Sequence, residues 1–145
     1  MKRFFAVIPL LVALMVALLA PLAQAAPPFG AFASIRDMEL MVGGKIKTLD
    51  FDGALAVIDP AGRSLSKEQK DRFVNSLSGY FLHPMTQEAL LKEEILGGGF
   101  RRAIYAYWRD DLPVYLYVVT HSREDAVWLL QYNIDTSFSK IIGQF

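Results

Sequence analysis

The side chains able to do chemistry in this chain are few and scattered. There are two histidines, no cysteine, and no serine in a Gly-x-Ser-x-Gly elbow, so nucleophilic hydrolysis has no visible agent. His83 precedes a proline, and His121 falls where an apolar run meets a polar turn. Two isolated imidazoles do not make a metal site, which needs three or four convergent ligands. Asp50-x-Asp52-Gly53 superficially has the acidic start of a calcium loop, but its glycine is misplaced and Ala61 stands where the closing glutamate belongs. Gly97-Gly98-Gly99 lacks the Lys-Ser/Thr that follows the glycines of a phosphate loop. Asp59, beside Pro60-Ala61-Gly62, reads as a turn former. Arg101-Arg102 with Arg109 lies near aromatic residues, the pairing that single-stranded nucleic acid uses. No catalytic residue, metal ligand or cofactor-binding set is assigned from these residues, and no cofactor is expected.

The first 25 residues carry the clearest signal. Lys2 and Arg3 precede an apolar run over residues 4–20, and Pro21 leads to Ala23-Gln24-Ala25, the small-x-small pattern cut by a signal peptidase. Cleavage after Ala25 is favoured over an uncleaved anchor, because Pro9 and Pro21 interrupt the run and no basic stop-transfer cluster follows. The absence of cysteine leaves nothing to acylate at the cut. The expected destination is the periplasm, with membrane contact limited to the signal segment.

Removing the leader leaves one domain's worth of chain, residues 26–145. It carries 13 basic against 15 acidic side chains once Lys2 and Arg3 are gone, a balance that argues against nucleic acid or an anionic membrane as partner. A hydrophobic content of 53% for the whole chain, still high without the leader, argues against intrinsic disorder.

The elements that must position any site follow from periodicity. Ile35, Met38, Val42, Ile46 and Leu49 approach helical spacing. Gly43-Gly44 sits inside that run and predicts a kink, an interruption or a hairpin turn. Asp50 or Asp52 can cap a short helix through residues 54–58. Ser66 with Gln69 forms a capping box, and Phe73, Leu77, Tyr80 and Phe81 fall on one face of the helix it starts, which His83-Pro84 ends. From Phe100 the period becomes two. Phe100, Ile104, Ala106 and Trp108 share one face; so do Val114, Leu116 and Val118, and then Ala126, Trp128, Leu130, Tyr132 and Ile134. Polar turns over residues 110–113 and 122–125 make these strands antiparallel hairpins. A short helix follows, capped by Asp135 or Thr136, with Phe138, Ile141 and Ile142 on its apolar side. Residues 87–96 have helix-forming composition with a glycine stop, but the triple glycine before a strong strand also suits a hairpin.

Leu49-Asp50-Phe51-Asp52-Gly53-Ala54-Leu55-Ala56, Leu65-Ser66-Lys67-Glu68-Gln69 and Trp128-Leu129-Leu130-Gln131-Tyr132 resemble, in turn, the second helix, the start of the third helix and a late strand of small exported members of the nuclear-transport-factor-2-like (cystatin-like) superfamily. The resemblance implies an α+β fold, with N-terminal helices packed on one face of a curved antiparallel sheet, a cystatin-like cone, and a short C-terminal helix. It also tips residues 87–96 to strand. The superfamily hosts isomerases, dehydratases, binding modules and oligomerisation domains, and its isomerase-like members use a carboxylate base with a tyrosine or protonated acid in an apolar cone. No Asp–Tyr pair of this chain aligns with that constellation.

With the faces assigned as above, the sheet's other side shows Tyr105, Tyr107, Tyr115, Tyr117, Val119, Val127 and Leu129, bordered by Arg101, Arg109 and His121. Tyrosine and arginine enrichment marks a contact surface. Tyr105, Tyr107, Tyr115, Tyr117 and Arg109 are therefore the candidate interface of a homodimer packed sheet to sheet. The expected function is a non-enzymatic module binding a small apolar ligand or a protein. The alternatives are an isomerase or lyase using the cone-shaped pocket, and an immunity-type inhibitor in the periplasm.

Overall fold

A computed structural model describes residues 29–145; the expected signal segment and the expected cut after Ala25 lie outside the described residues. The chain is α+β, with the helices preceding a curved five-stranded antiparallel sheet and a short helix at the C-terminus. A two-residue strand, β1 (Ala31–Phe32), leads into α1 (Ile35–Met38), a π-helical turn (Glu39–Gly43) and α2 (Gly44–Lys47). Next come α3 (Phe51–Ile58), α4 (Lys67–Tyr80), the strands β2 (Gln87–Gly97), β3 (Phe100–Arg109), β4 (Leu112–Ser122) and β5 (Val127–Asp135), and α5 (Phe138–Ile142). Spatial strand order is β1-β5-β4-β3-β2. Among the described residues no helix is long and apolar enough to cross a membrane.

Local chemistry explains the helix ends. Ser34 Oγ accepts from Asp37 N at 3.0 Å and caps α1. Gly43 and Gly44 keep right-handed helical φ of −63° and −58°, so the chain passes through them without a hairpin. The interruption takes the form of a widened π turn that ends at Gly43. Leu49, at φ +62°, ends α2 in the left-handed conformation. Leu49 N donates to Ile46 O at 3.0 Å and Asp50 N to Lys45 O at 2.9 Å, satisfying carbonyls the helix leaves open. Asp50 then caps α3 by accepting from Gly53 N at 2.8 Å. The hydrogen bond from Lys45 and that from Gly53 N hold its carboxyl below the usual aspartate range. The Ser66–Gln69 capping box opens α4 as its sequence predicts.

Residues 87–97 form a strand. The turn that follows explains why helix propensity loses: Gly98 and Gly99 have φ of +57° and +84°, the positive pair of a type I′ hairpin, and Gly97 pairs with Phe100. A Cβ on Gly99 would stand 2.4 Å from Ser122 O. β2 is an edge strand and largely exposed, which suits its charged composition, and Glu94 and Arg102 face each other across the hairpin within hydrogen-bond reach.

The strand faces differ from the expected assignment. β3 and β4 are joined by the two-residue turn Asp110-Asp111, with Arg109 opposite Leu112. Such a turn pairs odd positions of one strand with even positions of the other, so Tyr105 faces Leu116 and Tyr107 faces Val114. The side toward the helices therefore carries Ala103, Tyr105 and Tyr107 with Val114, Leu116 and Val118, packed against Met38, Val42, Ile46, Phe51 and Ile58. Ile104 and Trp108 turn outward. On β5 the extra residue Leu130 forms a bulge between the Val119–Gln131 and Thr120–Leu129 pairs. Tyr132 and Ile134 face the helices as expected, whereas Val127 and Leu129 replace Trp128 and Leu130 there.

The proposed face of Tyr105, Tyr107, Tyr115 and Tyr117 is thus divided between the two sides of the sheet. Tyr115 and Tyr117 occupy the outer side, where α5 lies: Ile141 packs on Ile104 and Tyr117, and the Tyr115 and Phe138 rings are 5.3 Å apart. The Lys92 ammonium and the Arg102 guanidinium sit over the Phe145 ring at 4.1 and 4.4 Å. Ser137 occupies the cap position of α5, with its N–H donated to Asp135 Oδ1 at 2.7 Å, so Asp135 acts two residues ahead of the cap.

Candidate functional site

The helix run through α1, the π turn and α2 does not close fully on β2 and β3. A cleft of about 420 Å³ remains between them, toward the low end of the range for small-molecule sites. The helix side contributes Arg36, Glu39, Leu40, Gly44 and Lys47; the sheet side contributes Glu88, Ala89, Leu90, Tyr105 and Tyr107. The π turn is what brings Glu39 and Gly43 onto β3. A widened turn of this kind inserts a residue without ending the helix and often occurs at functional sites.

Tyr105 anchors one wall. Its Oη donates to Glu39 Oε1 at 2.5 Å and accepts from Arg101 Nη2 at 2.8 Å. Arg101 Nε in turn donates to Glu93, and Arg101 Nη2 stands 3.9 Å from Glu39 Oε1. Burial, then the hydrogen bond to Glu39, pushes the Tyr105 phenol far above its ordinary value, with Arg101 opposing. Burial works against the charge on Arg101, but hydrogen bonds to Glu93 and Tyr105 outweigh it and hold the guanidinium above its usual range. The Arg101 side chain is 8% exposed, and removing one partner of such a buried charge costs about 3–5 kcal/mol.

Tyr107 is different. It is 2% exposed, lines the cleft, and has no hydrogen-bond partner for its hydroxyl among the described residues. Burial, followed by the neighbouring Tyr105, Glu88 and Glu39, pushes its phenol far up, so the group keeps its proton and can donate. The ring is buried, but the hydroxyl is not among the fully buried unpartnered atoms, so it opens into the cleft. Its position depends on Gly43, where a Cβ would stand 2.7 Å from Tyr107 Oη and 3.0 Å from the ring. At the mouth, Lys47 Nζ meets Glu88 Oε2 at 3.2 Å.

Of the residues singled out by sequence, the structure brings Tyr105, Tyr107 and Arg101 to the cleft region. Arg109 stands at the end of β3, 3.8 Å from Asp110, with its side chain 43% exposed. The His121 ring stacks on Phe100 at 4.1 Å, remote in sequence from exposed His83. Asp59 is the turn former expected: Gly62 N donates to its carbonyl and Ser64 N to its Oδ2 at 2.6 Å. Asp52 pairs with Lys70 at 2.9 Å. Among the described residues no group of three or more His, Cys, Asp or Glu side chains is placed to hold a metal ion. Glu39 and Arg36 were missed as site residues. The arithmetic of the Asp110-Asp111 turn, which puts Tyr105 and Tyr107 inward, was the signal that could have found the sheet half of the cleft.

No family model, curated protein or solved structure matches the chain. The fold defines its class, an α+β domain with a helix-to-sheet cleft.

Proposed function

We propose that this chain is an exported periplasmic module that binds a small molecule in the cleft between the π turn and β2–β3. The leader-like segment over residues 1–25 supports the compartment, and the resemblance to the nuclear-transport-factor-2-like superfamily supports a ligand site in that place. The observation that carries the reading is the open cleft itself, with the Tyr107 hydroxyl at its wall and without a protein partner among the described residues.

Titration with the fluorescent probe 1-anilinonaphthalene-8-sulfonate tests it. Gly44 lines the cleft, and a Cβ there meets nothing within 4 Å, so Gly44→Phe fills the space without disturbing the helix. Saturable binding lost in Gly44→Phe supports the reading; binding unaffected by the substitution contradicts it.

A second reading, an isomerase or lyase in the same cleft, is favoured by the Tyr105–Glu39 hydrogen bond at its wall, which holds a carboxylate in place for proton transfer. In that case Glu39→Gln abolishes turnover while the ligand still binds. If the chain is a binding module, wild-type protein returns its ligand unchanged.

A further inference from the structure

We infer that the cleft takes a compact amphipathic carboxylate, its head group held by hydrogen bonds from Tyr107 Oη and the Arg36 guanidinium and its apolar body lying on Leu40 and Leu90. The inference rests on the cleft being a ligand site and goes on to specify what it binds.

Most polar groups of the lining are already engaged. Glu39 accepts from Tyr105, Tyr105 is used both as donor and as acceptor, and Glu88 is paired with Lys47. Among the described residues, two donor groups of the lining have no protein partner at all. The Tyr107 ring is buried while its hydroxyl opens into the cleft without a partner, and the exposed Arg36 has no carboxylate within ion-pair distance among the described residues. Tyr105 takes one oxygen of Glu39 and Lys47 one oxygen of Glu88, so a cationic ligand would compete with both for those carboxylates. A carboxylate has two oxygens that accept from a phenol and a guanidinium together, and the Arg36 charge offsets the Glu39 and Glu88 carboxylates that face Tyr107. The rest of the lining is apolar and unusually bare: Leu40 is 61% and Leu90 46% exposed, which suits a body of hydrocarbon or aromatic character. The volume of about 420 Å³ limits that body to a small molecule.

Calorimetric titration of the whole chain with 2-naphthoate and with its uncharged counterpart 2-naphthamide tests the assignment. Naphthoate is expected to bind about tenfold more tightly than naphthamide, as charge-assisted hydrogen bonds require. Tyr107→Phe and Arg36→Gln should each remove most of that preference while leaving naphthamide binding in place. Neither substitution takes away a partner the fold uses, and an unchanged melting temperature checks this. Gly44→Phe should abolish binding of both probes; naphthoate binding that survives it lies elsewhere and overturns the assignment. Equal affinity for the two probes overturns the carboxylate while the cleft reading stands. Binding of neither overturns both.

Discussion

Gly43 and Tyr107 are in contact across the helix–sheet junction so closely that a single methyl group on Gly43 would stand 2.7 Å from the tyrosine oxygen. The neighbouring Gly44 has open space at the same point of its own backbone. Both residues are helical, so propensity treats them alike, and packing alone separates them.

Gly44→Ala is therefore expected to stabilise the protein by about 1 kcal/mol, the helix preference of alanine over glycine. Gly43→Ala gains the same preference and loses more by forcing Tyr107 or the π turn to move, with overpacking costing about 1–3 kcal/mol. Urea unfolding of the two variants checks the opposite signs. Two stabilised variants would mean that the contact at Tyr107 is loose.

Tyr117 is 3% exposed beneath α5, so Tyr117→Asp buries an unpaired carboxylate against Ile104 and Ile141. A loss of at least about 3 kcal/mol is expected. Thermal unfolding measures it, and light scattering shows whether association changes. A variant as stable as the wild type, altered only in oligomeric state, would restore the reading of this face as an interface between copies. The apolar outer face expected to need a second molecule has α5 on it, which explains much of its composition within one chain.

Asp59 contributes a pH dependence. Burial alone would raise its carboxyl, but hydrogen bonds from Ser64 and the backbone of Arg63 leave it below its ordinary value of 3.8. A carboxyl depressed in the folded state adds stability that is complete above the unfolded value and disappears as pH falls through the folded one. Between about pH 5 and about pH 2, wild type should thus lose more stability than Asp59→Asn. Melting curves at the two ends of that range test it; parallel losses would mean that Asp59 is no better solvated in the fold than out of it.

How far the sequence could be read depends on which interactions are local. The Ser66–Gln69 box, the Asp50 cap and the alternation after Phe100 involve neighbours a few residues apart, and each appears as expected. Residues 87–96 read locally as helix, and the strand is imposed by the paired β3 and by the positive φ of the glycine turn. The face assignment failed for a different reason. Alternation identifies a strand without saying which face is inside, and that is decided by the parity of the Asp110-Asp111 turn and by the bulge at Leu130. The same error hid the site, because it sent Tyr105 and Tyr107 outward, away from Glu39. Arg36 and Glu39 looked like the polar face of an amphipathic helix, and only the cleft left by the π turn distinguishes them.

The most direct test of the cleft as a ligand site is backbone amide NMR of the isotopically labelled protein titrated with 1-anilinonaphthalene-8-sulfonate. The account predicts shift changes concentrated in residues 36–47, 88–90 and 105–107, saturating with a single affinity. Changes centred on α5 and the outer sheet face, or spread without saturation, would contradict it.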